Sequence, residues 1–436
     1  MQYRSVSPAS ALAIVDANSF YASCFAAFDA TLAHRPVVVL SNNDGNIIAR
    51  NAAAKRLGIA MGVPFFQVRE LVALNDVRVF SSNHGFFADM SWRFQSLLYE
   101  YSPVVEHYSI DEAWLDIQPT APMSSKMTLD AIGREIHQRV CALSGIPVAV
   151  GFAETKTLAK LALELAKTSP KTRGVLDLTR SPYQSIALER LPVSDVWGIG
   201  AQSTKKLNRH GIITALDLRE ADDQWIRKNL TATGLRTVHE LRGIQCFPLN
   251  PDPPPRKLVT VSRSFGQATA NAGEVRAAVA WFTARAAEKL RRADFVAARL
   301  TVWLTTDRFK DTPQAADSLT LNVAPLSDCT RELTQIALRG LERLLQANSG
   351  QRYEWRKAGV MLSELSPANG APRRLWNNEQ TGKYQRLMNT MDELNARFGK
   401  DTLRCGWFPS ESVWRTKAGF PAPGHTIKWA DILLAQ

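Results

Sequence analysis

Cysteine is scarce in this chain and long apolar runs are missing. Five cysteines, Cys24, Cys141, Cys246, Cys329 and Cys405, are scattered over 436 residues with no Cys-x-x-Cys pair. That spacing argues against a zinc site and a disulfide framework, and it fits a reducing cytoplasm. No hydrophobic stretch approaches the roughly 18–20 residues of a membrane span. Met1 to Ala11 lacks the charged-then-apolar pattern of a secretory signal, and residues 1–10 are expected to be a disordered lead. Acidic residues are in deficit: 41 Asp and Glu face 53 Lys and Arg, a net charge of +12. That balance favours a polyanionic partner without separating nucleic acid from an anionic membrane surface. Hydrophobic content of 45% and charged content of 22% are those of an ordinary globular protein. The length suits about two to four domains.

Against this background one stretch stands out. Residues 106–117 read Glu-His-Tyr-Ser-Ile-Asp-Glu-Ala-Trp-Leu-Asp-Ile. Val104, Tyr108, Ile110, Trp114 and Ile117 favour a pleated strand, yet Asp111 and Glu112 stand side by side within it. Adjacent carboxylates repel, and partial burial adds to the cost, so a solvated turn or a bound cation is the cheapest explanation. Neighbours on a straight strand point to opposite faces. Both can serve one site only if the chain bends, which predicts strands at 104–109 and 113–117 with the acidic pair near the hairpin tip.

A third carboxylate, Asp16, ends the apolar run that begins at Leu12. Alone it reads as a cap or a turn residue. With Asp111 and Glu112 it completes the set of oxygen ligands that two divalent cations roughly 3.5–4 Å apart require.

Four stretches carry a family resemblance. They are Asp16-Ala-Asn-Ser-Phe-Tyr-Ala-Ser, Ser41-Asn-Asn-Asp-Gly-Asn-Ile-Ile-Ala-Arg-Asn, Ser109-Ile-Asp-Glu-Ala and Val150-Gly-Phe-Ala-Glu-Thr-Lys-Thr-Leu-Ala-Lys. In that order they resemble the Y-family translesion DNA polymerases, and most of all the UmuC branch, which holds the catalytic subunit of DNA polymerase V and its plasmid-borne relatives. The resemblance spans about residues 11–365 well and the tail weakly. It implies an α+β, multidomain right-hand fold with a ferredoxin-like palm, small fingers, a helical thumb and a little finger. It also implies that Asp16, Asp111, Glu112 and the carbonyl of Ala17 hold two Mg2+ ions for nucleotidyl transfer.

The same resemblance places Phe20 and Tyr21 at the floor of a nucleotide pocket, with the Tyr21 ring where a ribose 2′-hydroxyl would go. The pattern predicts a strand at Val37–Leu40, a turn at Asn42–Asn46 and a helix over about Ala49–Leu57 that presents Arg50 and Lys55. Gly58 ends that helix. Lys55 falls where the family places a triphosphate-binding cation. Many relatives carry an aromatic one turn earlier, where this chain has Ala52. Residues 154–167 predict a helix with Leu158, Leu161, Ala162 and Leu165 inward and Lys156, Lys160 and Lys167 on another face. The family places Lys167 against the triphosphate; Lys160 is the lesser candidate.

Farther on, Leu191 to Leu207, followed by Gly211, reads as a helix-hairpin-helix. Gly198 and Gly200 would let the backbone approach a DNA phosphate, with Lys205 and Lys206 adding charge. Pro248 to Arg256 is an extended, proline-rich boundary. Beyond it the order β-α-β-β-α-β predicts a sheet with two helices on one face. Its bare face would lie on duplex DNA, with Ser262, Arg263 and Ser264 as contacts. Arg285, Lys289 and Arg292 form a stripe on the far side and read as solvated.

The expected partition is a palm at 11–24 and 77–180, fingers at 25–76, a thumb at 181–246, a linker at 247–256, a little finger at 257–365 and a partner-docking tail at 366–436. The family uses the tail to dock on the sliding clamp, and Leu375-Trp376 are the nearest anchors. A UmuD′-like dimer, a RecA filament, primer-template DNA and dNTP are the other implied partners, in a cytoplasmic, nucleoid-associated setting with no membrane. A non-catalytic scaffold would lack the carboxylates, and a two-metal nuclease would have no use for the gate aromatic or the triphosphate cations. No exonuclease motif is present, so proofreading is not expected.

Overall fold

A computed structural model describes residues 11–118, 127–252, 254–370, 378–399, 401–405 and 417–432. Leu375 and Trp376, and the lead at 1–10, lie outside the described residues. The chain divides into two compact units, one of residues 1–253 with 418–436 and one of residues 254–417.

In the first unit, β1 (Ala11–Ala17) is buried at every residue. It leads to α1 (Phe20–Ala26), β2 (Val37–Leu40), β3 (Ile47–Arg50), α2 (Ala52–Arg56), α3 (Phe65–Leu74), β4 (Arg78–Ser81) and α4 (His84–Ser96). Then come β5 (Val105–His107), β6 (Glu112–Ile117), α5 (Leu129–Ser144), β7 (Val148–Ala153), α6 (Lys156–Thr168) and β8 (Val175–Asp177). Four helices follow: α7 (Gln184–Arg190), α8 (Ala201–Asn208), α9 (Ala215–Glu220) and α10 (Asp223–Leu241).

A five-stranded sheet in the order β5-β6-β1-β7-β8 forms the centre of this unit. β1 lies inside it, antiparallel to both β6 and β7, which is why its whole run is apolar. Alternate residues serve two cores. Ala13 and Val15 face one with Phe20, Phe25 and Phe87; Ile14 and Trp114 face the other with Leu158, Ala162 and the helices after β8. The hairpin of β5 and β6 matches the sequence reading, with Asp111 in the turn and Glu112 opening β6.

A small sheet, β3-β2-β4, holds a separate core of Val38, Leu40, Ile47, Phe65 and Val72. The helix expected from Ala49 starts later. Residues 47–50 are strand, because Ile47 and Ile48 are β-branched and Asn51 caps α2 through Oδ1 to the Ala54 amide at 3.0 Å. Arg50 therefore sits on β3 and is not presented by the helix with Lys55. Gly58 takes the positive φ of 80° expected after the helix. β4 pairs with β2 and joins this small sheet, although the sequence partition places residue 77 onward with the palm.

The second unit contains β9 (Leu258–Thr269), α11 (Ala272–Arg291), β10 (Phe295–Thr306), β11 (Ala316–Ser327), α12 (Thr330–Ala347), β12 (Trp355–Pro367) and α13 (Asn378–Phe398). The sheet order is β11-β10-β12-β9, and Val275, Val279, Phe282, Ala286 and Leu290 of α11 are buried on it.

Two expectations fail in this unit. Arg263 shares the strand face of Val259, Val261 and Phe265, which is the helix-covered face, and its guanidinium lies over the Trp281 ring at 4.8 Å. Burial and the nearby Arg285 hold it below its usual range. It is not on the bare face; Ser262 and Ser264 are. Arg285 is not a solvated stripe residue either. It pairs with Glu288 and Asp401, and its side chain is only 15% exposed. Beside it Arg291 makes a two-pronged ion pair with Asp392 of α13, at 2.7 and 2.8 Å. The expected single tail at 366–436 thus divides, with α13 on the second unit and residues from 418 on the first.

Candidate active site

The acidic pair is held by its own turn. Ser109 Oγ donates to Asp111 Oδ1 at 2.6 Å and accepts from the amides of Asp111 and Glu112 at 3.2 and 3.0 Å. The amides of Tyr108 and Ser109 close the turn on the Glu112 carbonyl. Buried Gln95 of α4 donates to the Ser109 carbonyl at 2.9 Å. The Ala17 amide donates to the Asp111 carbonyl at 2.8 Å, which ties the turn to the end of β1. Asp16 and Glu112 are register partners across β1 and β6. On directly opposed positions their Cβ atoms are about 4.5–5.5 Å apart on one face. The sheet thus brings together Asp16, Ala17, Asp111 and Glu112, from two distant parts of the sequence.

The face they share is the face α6 covers. Three lysines of α6 meet three carboxylates on three adjacent strands. Lys156 pairs with Glu106 of β5 at 2.6 Å, Lys160 with Glu112 of β6 at 2.9 Å and Lys167 with Asp16 of β1 at 2.9 Å. Burial pushes the Asp16 carboxyl up to about 6, against the pull of Lys167; Glu112 and Asp111 push the same way as burial. Burial alone would lower Lys167, but Asp16 and Glu164 outweigh it and hold the ammonium above its usual range. Lys160 and Lys167 thus pair with Glu112 and Asp16, while Asp111 accepts from the Ser109 hydroxyl.

This chemistry fits a divalent metal. Carboxylate donors at strand ends are hard-cation ligands, and burial raises one of them, Asp16, despite the nearby Lys167. Among the described residues no three such side chains converge as a finished cluster. The reason is visible: Asp16 is turned to Lys167 and Glu112 to Lys160.

Lys160 also lies under the Tyr108 ring at 5.2 Å, and Trp197 donates its indole N–H to the Tyr108 hydroxyl at 3.2 Å. Trp197 immediately precedes Gly198, so the glycine hairpin abuts the acidic turn. Gly198 has φ 89° and Gly200 is the N-cap of α8. Lys205 is exposed on α8, whereas Lys206 donates to the Asn229 carbonyl at 3.0 Å.

Tyr21 and Phe20 separate. Phe20 is core, packed on Phe87 and Phe94. Tyr21 is half-buried with its ring 4.4 Å from Phe87. Burial and the charge of Asp111 both raise its hydroxyl, which places it beside the acidic turn. Arg50 Nε is buried without a hydrogen-bond partner, and Lys55 is exposed on α2. Sequence reasoning missed Ser109 and Gln95 as supports of the turn and the pairing of Lys160 with Glu112. The recurrence of Lys156, Lys160 and Lys167 on one side of a helix was the available signal.

The comparisons bear on the whole chain. Residues 15–164 match the impB/mucB/samB family and residues 256–375 its C-terminal domain, while residues 385–435 match a domain of unknown function, DUF4113. The chain is 40% identical to the protein UmuC of Salmonella typhimurium, over 97% of this chain and 99% of the relative. It is 37% identical to MucB of Escherichia coli over the same shares. It is 26% identical to DNA polymerase IV of Bacillus velezensis, over 90% of this chain and 91% of the relative. Among solved structures it is similar to a Dbh–Dpo4 Y-family DNA polymerase chimera, with a TM-score of 0.67 and 20% identity over 81% of this chain and 98% of that one. It is similar to an insertion ternary complex of Dbh DNA polymerase, with a TM-score of 0.54 and 20% identity over the same shares. At near full-length identity to UmuC and with both family domains in order, the chain belongs to the UmuC branch of the Y-family of error-prone translesion DNA polymerases.

Proposed function

We propose that Asp16, Asp111 and Glu112, with the Ala17 carbonyl, form a two-metal site for template-directed nucleotidyl transfer. The observation that carries this reading is the register pairing of Asp16 with Glu112, with the Asp111 turn hydrogen-bonded to Ala17. Bound there, Mg2+ would supply Lewis-acid activation of a primer 3′-hydroxyl and neutralise the departing pyrophosphate. The chain's own part is positional. Ser109 and Gln95 hold the turn rigid, and Lys160 and Lys167 keep the carboxylates charge-balanced.

Around that centre, Lys167, Lys55 and Arg50 are the cations for the dNTP triphosphate. The Arg50 guanidinium, with a buried N–H left unpaired, suits an anionic ligand. Tyr21 is the sugar gate, and Phe20 supports it from the core. The five-stranded sheet serves as the palm, the small sheet as the fingers, residues 181–246 as the thumb and residues 257–365 as the little finger. Gly198, Gly200 and Lys205 contact primer-template DNA backbone, and so do Ser262 and Ser264. That a related Dbh structure is an insertion ternary complex supports DNA and nucleotide as substrates. The UmuC relationship supports an SOS role with a UmuD′-like dimer, a RecA filament and a sliding clamp as partners, the clamp reached through Leu375 and Trp376, in the cytoplasm at the nucleoid. Among the described residues no helix is long and apolar enough to cross a membrane.

Primer extension with Asp111→Asn tests the site. With Mg2+, primer-template, dNTPs and accessory subunits, extension should fall by about a thousandfold or more while DNA binding persists. Retained extension would remove the metal assignment.

A further inference from the structure

The last described stretch, residues 417–432, lies within the segment that matches a domain of unknown function. It does not trail away. It meets the 41–46 turn and the end of β4, then Phe28 just past α1 and the start of α4. The Gly419 amide donates to Asp44 Oδ2 at 2.6 Å, and the Phe420 amide to Ser81 Oγ at 3.2 Å. Ser81 Oγ itself donates to Asp44 Oδ1 at 2.6 Å, so the segment closes a three-way junction between the 41–46 turn and the end of β4. The Phe420 ring meets Phe65 of α3 edge-on at 5.3 Å.

Beyond that junction, Asn83 Nδ2 donates to the carbonyls of Ala422 and Pro423 at 3.0 and 3.3 Å. His425 stacks on Phe28 at 4.8 Å and 10°. Ile427 lies so close to Gly85 that a Cβ there would be 3.0 Å from its Cδ1. The stretch is clipped into shape by Asp431, which accepts from the Gly424 amide at 2.8 Å.

The junction sits on a left-handed turn. Asn43 and Asp44 hold successive positive φ values of 62° and 52°, the left-handed region that Asn and Asp enter more readily than other non-glycine residues. That turn leads directly into β3 and Arg50. From these observations we infer that residues 418–432 are an intramolecular strap that fastens the 41–46 turn and the end of β4 to Phe28 and the start of α4 and sets the conformation of the 41–50 arm for the incoming nucleotide. The residues Asp44, Ser81, Asn83, Phe420 and His425 are positioning residues. Binding energy from the strap keeps the arm in the competent state, and loss of the strap lowers that population. The nucleotide part of this inference rests on the pocket proposed above; the coupling between strap and turn does not.

Full-length Asn83→Asp/Phe420→Ala is the test. The Asp keeps the acceptor that caps α4 at the Phe86 amide, while removing the donor to Ala422 and Pro423. Hydrogen exchange is followed at 41–50, 81–87 and 417–432, with circular dichroism to verify the fold. Wild type should protect the Gly419, Phe420 and Ile427 amides. The variant should lose protection in the strap and the 41–50 arm together. The dNTP KM should rise about three- to tenfold, as for a competent population of about 10–30%, with kcat and primer-template affinity unchanged. A freed strap with the arm as protected as in wild type, or unprotected strap amides in wild type, would overturn the inference. Absence of extension by wild type would fail the pocket reading and leave the exchange coupling to decide this one.

Discussion

Lys160 holds Glu112 in a fork, its Nζ 2.9 and 3.1 Å from the two carboxylate oxygens. One residue is seven positions before Lys167 on α6, the other opens β6 opposite Asp16. Together the two lysines stand in the place of the positive charge that the acidic site demands. The charge balance of the protein without substrate follows from this pairing.

Lys160→Ala should therefore destabilise the metal-free protein. It leaves a half-buried carboxylate without its partner, at a cost of about 1–3 kcal/mol. Urea unfolding with EDTA should show the loss, and added Mg2+ should shrink it, since the ion takes over the neutralising role. A midpoint that matches wild type in EDTA, or a gap that Mg2+ leaves unchanged, counts against the placeholder role.

Ser109 makes three hydrogen bonds inside the acidic turn. Ser109→Ala removes all of them while leaving the carboxylates in the chain. Extension should drop at least about tenfold in kcat, because a ligand displaced by even 1 Å loses its geometry. Primer-template affinity should stay put. Unaltered kcat would show that the turn holds its shape without the hydroxyl.

Tyr21 is wedged by Phe87 beside Asp111. Tyr21→Ala should raise the use of ribonucleotides relative to deoxyribonucleotides at least about tenfold, whereas Tyr21→Phe should not, since the ring and not the hydroxyl occupies the space. Competition assays with matched rNTP and dNTP read this directly. Equal sugar selection in the alanine variant would end the gate assignment.

Arg263 and Ser264 separate two roles on neighbouring residues. Arg263→Gln should lower thermal stability of the second unit, because the guanidinium lies over Trp281; a cation over an aromatic face contributes about 0.5–2 kcal/mol. The slope of log affinity against log salt should be unchanged, as no phosphate contact is lost. A slope reduced by about one unit would put Arg263 on DNA after all.

Much of this was legible in order along the chain. Asp111 and Glu112 stood out because adjacent carboxylates in a strand are costly, whereas Asp16, which alone reads as a cap or a turn residue, gained weight only beside them. The hairpin of β5 and β6, the six elements of the second unit's α/β core and the inward stripe of α11 all follow from local periodicity. The Arg263 error was avoidable, since Val259, Val261 and Phe265 alternate with period 2 and Arg263 falls in that same set. The helix placed too early at Ala49 failed for a local reason too: β-branched Ile47 and Ile48 and the capping Asn51 outweighed the alanines.

Local pattern determined which residues form strands and helices and which face of each is apolar, because those preferences act between residues a few positions apart. It also singled out Asp111 and Glu112 as adjacent carboxylates that call for a turn or a cation. It did not determine that Lys156, Lys160 and Lys167 would each meet a different strand. That match depends on the sheet order β5-β6-β1, in which segments about a hundred residues apart in sequence become neighbours. Nor did it place residues 417–432 on Asp44 and Asn83, more than three hundred positions away. Such partners are chosen when loops close and cores are packed, and a short window of sequence carries no record of which distant surface will be left to cover.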